Sequence, residues 1–328
     1  MSKDQDVRPQ SFDDYVGQRD TIAVLRRAVV AARHHGRACG HLLFAGQPGC
    51  GKTSLAQIIA AEMGTKLLST VCPAIEHRGE LTALLTSLAP RGVLFLDEIH
   101  GLKPAMQELL YTAMEDGVVD LAAGKKMIRL PLKPFTLVGA TTRAHLLTGP
   151  LRDRFAYTFN LGHYSAEDLT TIAQRGAGRI GLSMDAHAAR VVGRRSRGTP
   201  RVALRLVRAC RDMAQSSGLS HVDAEVASCA LDMLGIDSLG LTASDRDYLG
   251  VLCERVGVPV GVTTIAAQLG LERGVIENVI EPHLMEAGLI QRTQQGRIAL
   301  PAAVVHLQAN PKREHETEIG IADIEVLS

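Results

Sequence analysis

Apolar residues at Ile22, Leu25, Ala28, Val29 and Ala32 recur at the three- and four-residue spacing of an amphipathic helix. Three later stretches show no such period. Leu42–Ala45 and Val93–Leu96 are short unbroken apolar runs, and Phe135–Ala140 is apolar but for Thr136, the pattern of parallel strands covered by helices on both faces. Between them the spacing predicts a strand over Lys66–Val71 and helices over about 54–62, 79–88 and 104–114. Val118–Leu121 and Met127–Pro131 flank Ala-Gly-Lys-Lys as a hairpin spanning about 118–131. Strands and helices alternate throughout residues 1–161, which predicts an α/β fold with a mostly parallel sheet.

From Ser165 the pattern is helical. Ser165-Ala-Glu-Asp168 reads as a helix N-cap, and further helices are expected over about 185–195, 200–216 and 222–234, making residues 162–238 a small helical domain. Leu239-Gly240-Leu241 then leads to helical patterns at about 243–256, 263–269 and 272–287. A hairpin follows, with strands around Leu289–Thr293 and Arg297–Leu300, so residues 239–308 read as a winged-helix domain related to helix-turn-helix DNA binders. Residues 309–328 are charged and are expected to be a flexible tail.

Composition narrows the classes. The 328 residues carry 36 lysines and arginines against 35 aspartates and glutamates, so any contact with nucleic acid must be local rather than a global basic footprint. The six cysteines are far apart, with no Cys-x-x-Cys pair, which suits reduced thiols in a cytoplasmic protein. No stretch approaches the roughly 18 apolar residues of a membrane span, so no membrane role is expected. Arg194, Arg195, Arg197, Arg201, Arg205, Arg208 and Arg211 form a local basic patch, read mostly as a solvated helix face.

The candidate chemistry begins at Gly46-Gln47-Pro48-Gly49-Cys50-Gly51-Lys52-Thr53, placed between an apolar strand and a helix-patterned run. That context is what a phosphate-binding loop needs. Glycines let backbone N–H groups converge on phosphate oxygens, Lys52 adds a charge, and the Thr53 hydroxyl is placed to hold Mg²⁺. Asp97 at the end of the second apolar run is a candidate for acting on Mg²⁺ through its water shell, and Glu98 for polarising the attacking water. Thr142, after the third run, is a candidate for positioning that water or the γ-phosphate. Arg152 and Arg154 offer guanidinium groups for transition-state charge, with a surface salt-bridge cluster around Asp153 as the competing reading. Arg201 follows Gly198-Thr199-Pro200 at a helix start, and Arg292 and Arg297 flank the second hairpin's turn, where DNA phosphates could be reached.

These motifs together resemble the AAA+ ATPases and, within them, the RuvB family of Holliday-junction branch-migration motors. Gly46–Ser54 is similar to the Walker A loop, Val93–His100 to the Walker B strand, Gly139–Arg143 to sensor 1, Pro150–Phe155 to the arginine-finger segment and Arg194–Val202 to sensor 2. Arg8-Pro9, Asp14–Gln18, Leu110–Asp116 and Leu289–Leu300 resemble RuvB more selectively. The resemblance implies an AAA+ P-loop domain, a helical lid and a C-terminal winged helix. It implies ATP and Mg²⁺ as cofactors, with Arg8, Tyr15, Val16, Gly49, Cys50, Gly51, Lys52, Thr53, Ser54 and Tyr164 around the nucleotide. Glu115 and Asp116 fall in a family segment near the same site. Thr142 becomes sensor 1, Arg201 sensor 2, and Arg154 rather than Arg152 the finger reaching a neighbour's ATP. A homo-hexamer around duplex DNA at four-way junctions, and a RuvA-type partner, are implied with it.

The chain departs from the family pattern in three places. Between Asp120 and Phe135 it is shorter, in the hairpin that the resemblance implies as the partner-docking element. The wing turn reads Thr293-Gln294-Gln295-Gly296 where the family has Thr-Pro-Arg-Gly, and Leu204 replaces a residue that is usually polar. Two alternatives to a branch-migration motor therefore stand: a RuvB-derived ATPase serving another DNA-remodelling system, and an ATP-dependent binding switch.

Overall fold

The computed structural model describes residues 7–123 and 126–310. All but the first residues of the tail expected over 309–328 lie outside them. The chain divides into two compact units, one of residues up to Gly181 plus Gly198–Leu204, the other of Leu182–Arg197 and the residues from Arg205 on.

The first unit opens with α1 (Arg19–His34), whose Ile22, Leu25, Val29 and Ala32 are buried as their spacing requires. Next come β1 (Leu42–Gly46), α2 (Lys52–Glu62), β2 (Leu67–Val71), α3 (Arg78–Ser87), β3 (Gly92–Asp97) and α4 (Pro104–Glu115). The hairpin β4 (Val118–Ala123) and β5 (Lys126–Pro131) is followed by β6 (Phe135–Thr141), the short α5 (Gly149–Arg152), β7 (Tyr157–Leu161) and α6 (Ala166–Arg179). Five strands form one parallel sheet in the order β2-β3-β6-β1-β7.

The unbroken apolar runs have the cause that their pattern suggests. Leu42, Phe44, Val93, Phe95, Val138 and Ala140 enter a core with α1 and α2. Their neighbours Leu43, Leu94, Leu96 and Leu137 enter a second core with α3 and α4. Successive side chains point to opposite faces and both faces are covered, so a polar side chain on these strands needs a partner within the fold. The two threonines of β6 that are fully buried are held locally, Thr136 donating to the Cys39 carbonyl at 3.0 Å. Ser165 caps α6 as its sequence predicts, accepting from the Asp168 N–H at 3.1 Å.

The second unit contains α7 (Ala186–Arg194), most of α8 (Pro200–Ser216), α9 (Ala224–Met233), α10 (Ala243–Cys253), α11 (Val262–Leu269), α12 (Arg273–Val275) and α13 (Glu281–Glu286). The wing is β8 (Ile290–Thr293) paired antiparallel with β9 (Gly296–Ala299), and α14 (Pro301–Ala309) closes the unit. Asp185, Asp223 and the Thr242–Asp245 capping box start α7, α9 and α10.

One expectation is corrected here. The single helix predicted over 272–287 is interrupted by a π-helical segment, Ile276–Ile280. Pro282 lies in the next turn; it has no N–H to give and its ring crowds the preceding turn, which a widened segment relieves. Helix α14 was not anticipated, because Pro301-Ala-Ala-Val-Val-His-Leu-Gln-Ala shows no contrast between faces, although Ala303 is fully buried. Two members of the arginine patch are engaged in the fold. Arg195 donates to Asp232 at 2.6 Å and to Ser228 at 2.8 Å, and Arg197 donates to the buried Asp245 at 3.0 Å.

Candidate functional site

The phosphate loop leaves the C-terminal end of β1, between β6 and β7 in the sheet. Two of its glycines have no substitute. Gly49 has φ +85° and Gly51 φ +93°, and a Cβ on Gly51 would lie 2.4 Å from the Tyr15 hydroxyl oxygen. Gly51 also precedes α2 with no side chain capping the helix, so the first N–H groups of α2 are left for a ligand with negative charge. Lys52 is 7% exposed, and its ammonium donates to the carbonyls of Gly46 at 2.9 Å and Gln47 at 3.1 Å. Burial lowers the Lys52 pKa, against the pull of Glu98 and Asp97 and with a smaller push from Arg201.

Side chains from the neighbouring strand ends converge on this loop because β3, β6 and β1 are adjacent. Asp97 accepts from the Glu98 N–H at 3.0 Å. Glu98 itself sits in left-handed backbone, φ +49°, which a non-glycine residue adopts only under the constraint of its surroundings. Its Oε2 accepts from the Thr142 hydroxyl at 3.3 Å and stands 3.2 Å from His100 Nδ1. His100 Nδ1 is also 2.9 Å from the Thr141 hydroxyl, which accepts from the Arg143 N–H. With its proton on Nδ1, His100 donates toward both oxygens. Neither His100 nor Thr141 was assigned from sequence, since nothing in the linear order joins residues 41 apart; the signal was the histidine two positions beyond a strand-end glutamate.

A cavity beside the loop is lined by Arg8, Tyr15, Val16, Gly51, Ser54, Tyr164 and Leu204. The hydroxyls of Tyr15 and Tyr164 are 2.7 Å apart, and Tyr164 donates to the Cys50 carbonyl at 3.1 Å. Burial is the main cause of a Tyr15 pKa pushed up to about 12 and raises that of Tyr164 as well, so both remain neutral donors. Arg201 reaches the loop from the other side, with its Cβ 2.9 Å from where a Cβ on Gly49 would be. These residues fit a nucleotide: an apolar cavity, a glycine cradle that a Cβ would fill, and a buried ammonium without a carboxylate in contact.

Arg154 belongs to a different group. It donates to Glu115 at 2.9 Å and to the Tyr111 hydroxyl at 3.0 Å, and its guanidinium lies 4.9 Å from the centre of the Tyr111 ring. Thus Glu115 is paired with the finger candidate, and Asp116 lies near Arg129 of the hairpin. Tyr111 was missed from sequence, although its spacing of four from Glu115 on a helix puts both on one face.

Residues 7–161 match the family model described as the Holliday junction DNA helicase RuvB P-loop domain, residues 164–237 the RuvB AAA lid domain and residues 238–308 the RuvB C-terminal winged helix domain. The chain belongs to the RuvB family. It is 49% identical over 313 residues to the Holliday junction branch migration complex subunit RuvB of Paramagnetospirillum magneticum, covering 94% of this chain and 90% of that protein. Among solved structures it is similar to the Thermotoga maritima RuvB Holliday junction branch migration motor, with a TM-score of 0.81, 40% identity, and coverage of 92% of this chain and 98% of that one. The A156S mutant of the same motor gives a TM-score of 0.83 at 40% identity, with the same coverage. The architecture expected from sequence, a P-loop α/β domain with helical lid and winged helix, is therefore that of the RuvB family, and the P-loop is a nucleotide site.

The wing of this RuvB-family chain holds its two arginines differently. Arg297 does not project from the hairpin toward solvent. Its side chain is 13% exposed and is held by Glu281 at 2.8 Å and Glu277 at 2.9 Å. Glu281, fully buried, also accepts from the Tyr248 hydroxyl at 2.9 Å and from Arg292 at 2.5 Å. Arg292 remains 42% exposed. Among the described residues no helix is long and apolar enough to cross a membrane, and all six cysteines are free thiols.

Proposed function

We propose that this chain is an ATP-hydrolysing ring motor that drives Holliday-junction branch migration on duplex DNA. The observation that carries the reading is the grouping of Lys52, Glu98, Thr142 and Arg201 around one phosphate loop in a chain 49% identical to a branch-migration subunit. In this reading residues 1–161 are the ATPase domain, 162–238 the lid and 239–308 the DNA-binding winged helix, working in the cytoplasm as a homo-hexamer with a RuvA-type partner.

Lys52 and the α2 N-terminus bind the phosphates, while Tyr15, Val16, Arg8 and Tyr164 enclose the base. Thr53 and Asp97 are the residues that would hold Mg²⁺, which when bound neutralises phosphate charge. Glu98 polarises the attacking water, oriented by Thr142 and by His100. Arg201 couples the nucleotide to the lid. Arg154 completes the site of a neighbouring subunit, where a guanidinium suits the charge that develops on the transferred phosphoryl group.

The test is a synthetic four-way junction assayed for ATP-dependent branch migration, with and without a RuvA-type protein. Strand exchange that needs both ATP and an intact Glu98 is the expected result. ATP hydrolysis without junction movement under every partner condition would sink the assignment and favour a remodelling task elsewhere.

A further inference from the structure

A finger is useful only if its guanidinium is already aimed when the neighbouring nucleotide arrives. A free arginine samples many rotamers, and a misplacement of about 1 Å at a reacting group costs on the order of 10²-fold in rate. In this chain the aiming surface is the last turn of α4. Tyr111 presents its ring face to the Arg154 guanidinium, with the centroid 4.9 Å away, and its hydroxyl accepts from Nη2 at 3.0 Å. Glu115, one turn on, pairs with Nη1 at 2.9 Å.

The two partners are not equivalent. Glu115 is a charged competitor for the group that phosphate must engage, so its ion pair has to be loosened for the finger to act. Tyr111 is uncharged and holds the guanidinium by one face and one N–H, which leaves the remaining edge for an oxyanion. We propose that Tyr111 is a positioning residue for the Arg154 finger, keeping the guanidinium on its ring while Glu115 is exchanged for the neighbour's phosphate. The inference rests on the reading that Arg154 acts on a neighbouring subunit.

Mixed rings separate that reading from the role of Tyr111. Full-length Lys52→Ala subunits still donate a finger, and full-length Arg154→Ala subunits still present a phosphate loop, so an equal mixture regains ATP turnover at mixed interfaces. Tyr111→Leu placed on the Lys52→Ala subunit, the finger donor, is expected to cut the regained turnover by about 10²-fold. The same substitution on the Arg154→Ala subunit leaves it unchanged, with ring assembly followed by light scattering in each mixture. Tyr111→Phe on the donor keeps the ring and loses only the hydrogen bond from the guanidinium, so the loss is smaller than that of Tyr111→Leu. A mixture with Tyr111 intact that regains no turnover overturns the trans finger and this inference together. Recovery there, combined with equal losses from either placement or none from the donor, overturns the role of Tyr111 and leaves the trans finger standing.

Discussion

Lys52 and Arg297 are both cations withdrawn from solvent, and their surroundings differ in one respect. The Lys52 ammonium is held by two backbone carbonyls, with Glu98 and Asp97 near enough to affect it but forming no ion pair with it, and burial lowers its pKa. Arg297 touches two carboxylates. Burial is the largest influence on its pKa and lowers it, yet the hydrogen bonds to Glu281 and Glu277 together raise it. A buried charge that is solvated by dipoles and left without a counter-ion is unstable until an anion arrives, which is a binding site. A buried charge already matched by carboxylates is part of the unit's framework, and removing one member strands the rest.

The sharpest way to break this contrast is to alter the site's own carboxylate. Glu98→Gln keeps the volume and the contact to Thr142 while removing the negative charge proposed to polarise water. ATP turnover is expected to fall by about 10²- to 10⁴-fold, with β3 amide exchange unchanged. Turnover at the original rate would mean that Glu98 is only a strand-end cap.

The opposite behaviour is expected in the wing. Glu281→Ala leaves two guanidinium groups and the Tyr248 hydroxyl without their shared acceptor. That should destabilise the winged-helix unit by about 3–5 kcal/mol. The chain has no tryptophan, and a two-unit chain need not unfold in one step, so amide exchange of β8 and β9 is the suitable measurement. Unchanged protection there would show that the cluster is ornamental.

The same contrast explains what could be read from the linear order. Strands β1, β3 and β6 were legible because helices cover both sheet faces, which forces every position in Leu42–Ala45 or Leu94–Leu96 to be apolar. The phosphate loop was legible because its cradle is made of consecutive residues. The contacts of His100 with Thr141 and of Tyr111 with Arg154 were not, since each joins residues more than 40 positions apart. The pairing of Arg297 was hidden for a related reason: its partners lie 16 and 20 residues earlier on another element. Pro282 did carry a signal for the π-helical interruption, but the apolar spacing over 272–287 outweighed it.

A histidine offers a pH test of burial without a counter-ion. His41, just before β1, accepts from the Leu137 N–H at 2.9 Å through Nδ1. Its pKa is pushed down to about 4, mainly by burial, with the Met114 carbonyl opposing. Above pH ~6.5 it is neutral in both the folded and unfolded chain, and its contribution to stability is complete. As pH falls through that value the unfolded chain takes up the proton first, so stability declines until about pH 4 and levels off below. The full change is on the order of 3 kcal/mol, measurable as rising exchange of the Leu137 amide. A His41→Gln variant should lose that pH dependence, and a variant that retains it would move the cause to another group.

The smallest effect separates the two wing arginines. Arg292 is 42% exposed while donating to Glu281 and to the Glu277 carbonyl, whereas the Arg297 side chain is 13% exposed with its guanidinium on both carboxylates. Each phosphate contact adds about 0.9 to the log-log slope of DNA affinity against salt. Arg292→Ala is therefore expected to lower the slope by about 1 for duplex DNA. Arg297→Ala should leave the slope alone and instead raise β9 amide exchange, because it removes the cation that joins Glu281 to Glu277. Titrations of both variants at three or more salt concentrations read the two slopes directly. An equal fall in slope for both would mean that Arg297 leaves its carboxylates to reach phosphate, and burial beside a counter-ion would then fail as the criterion dividing framework from binding site in this chain.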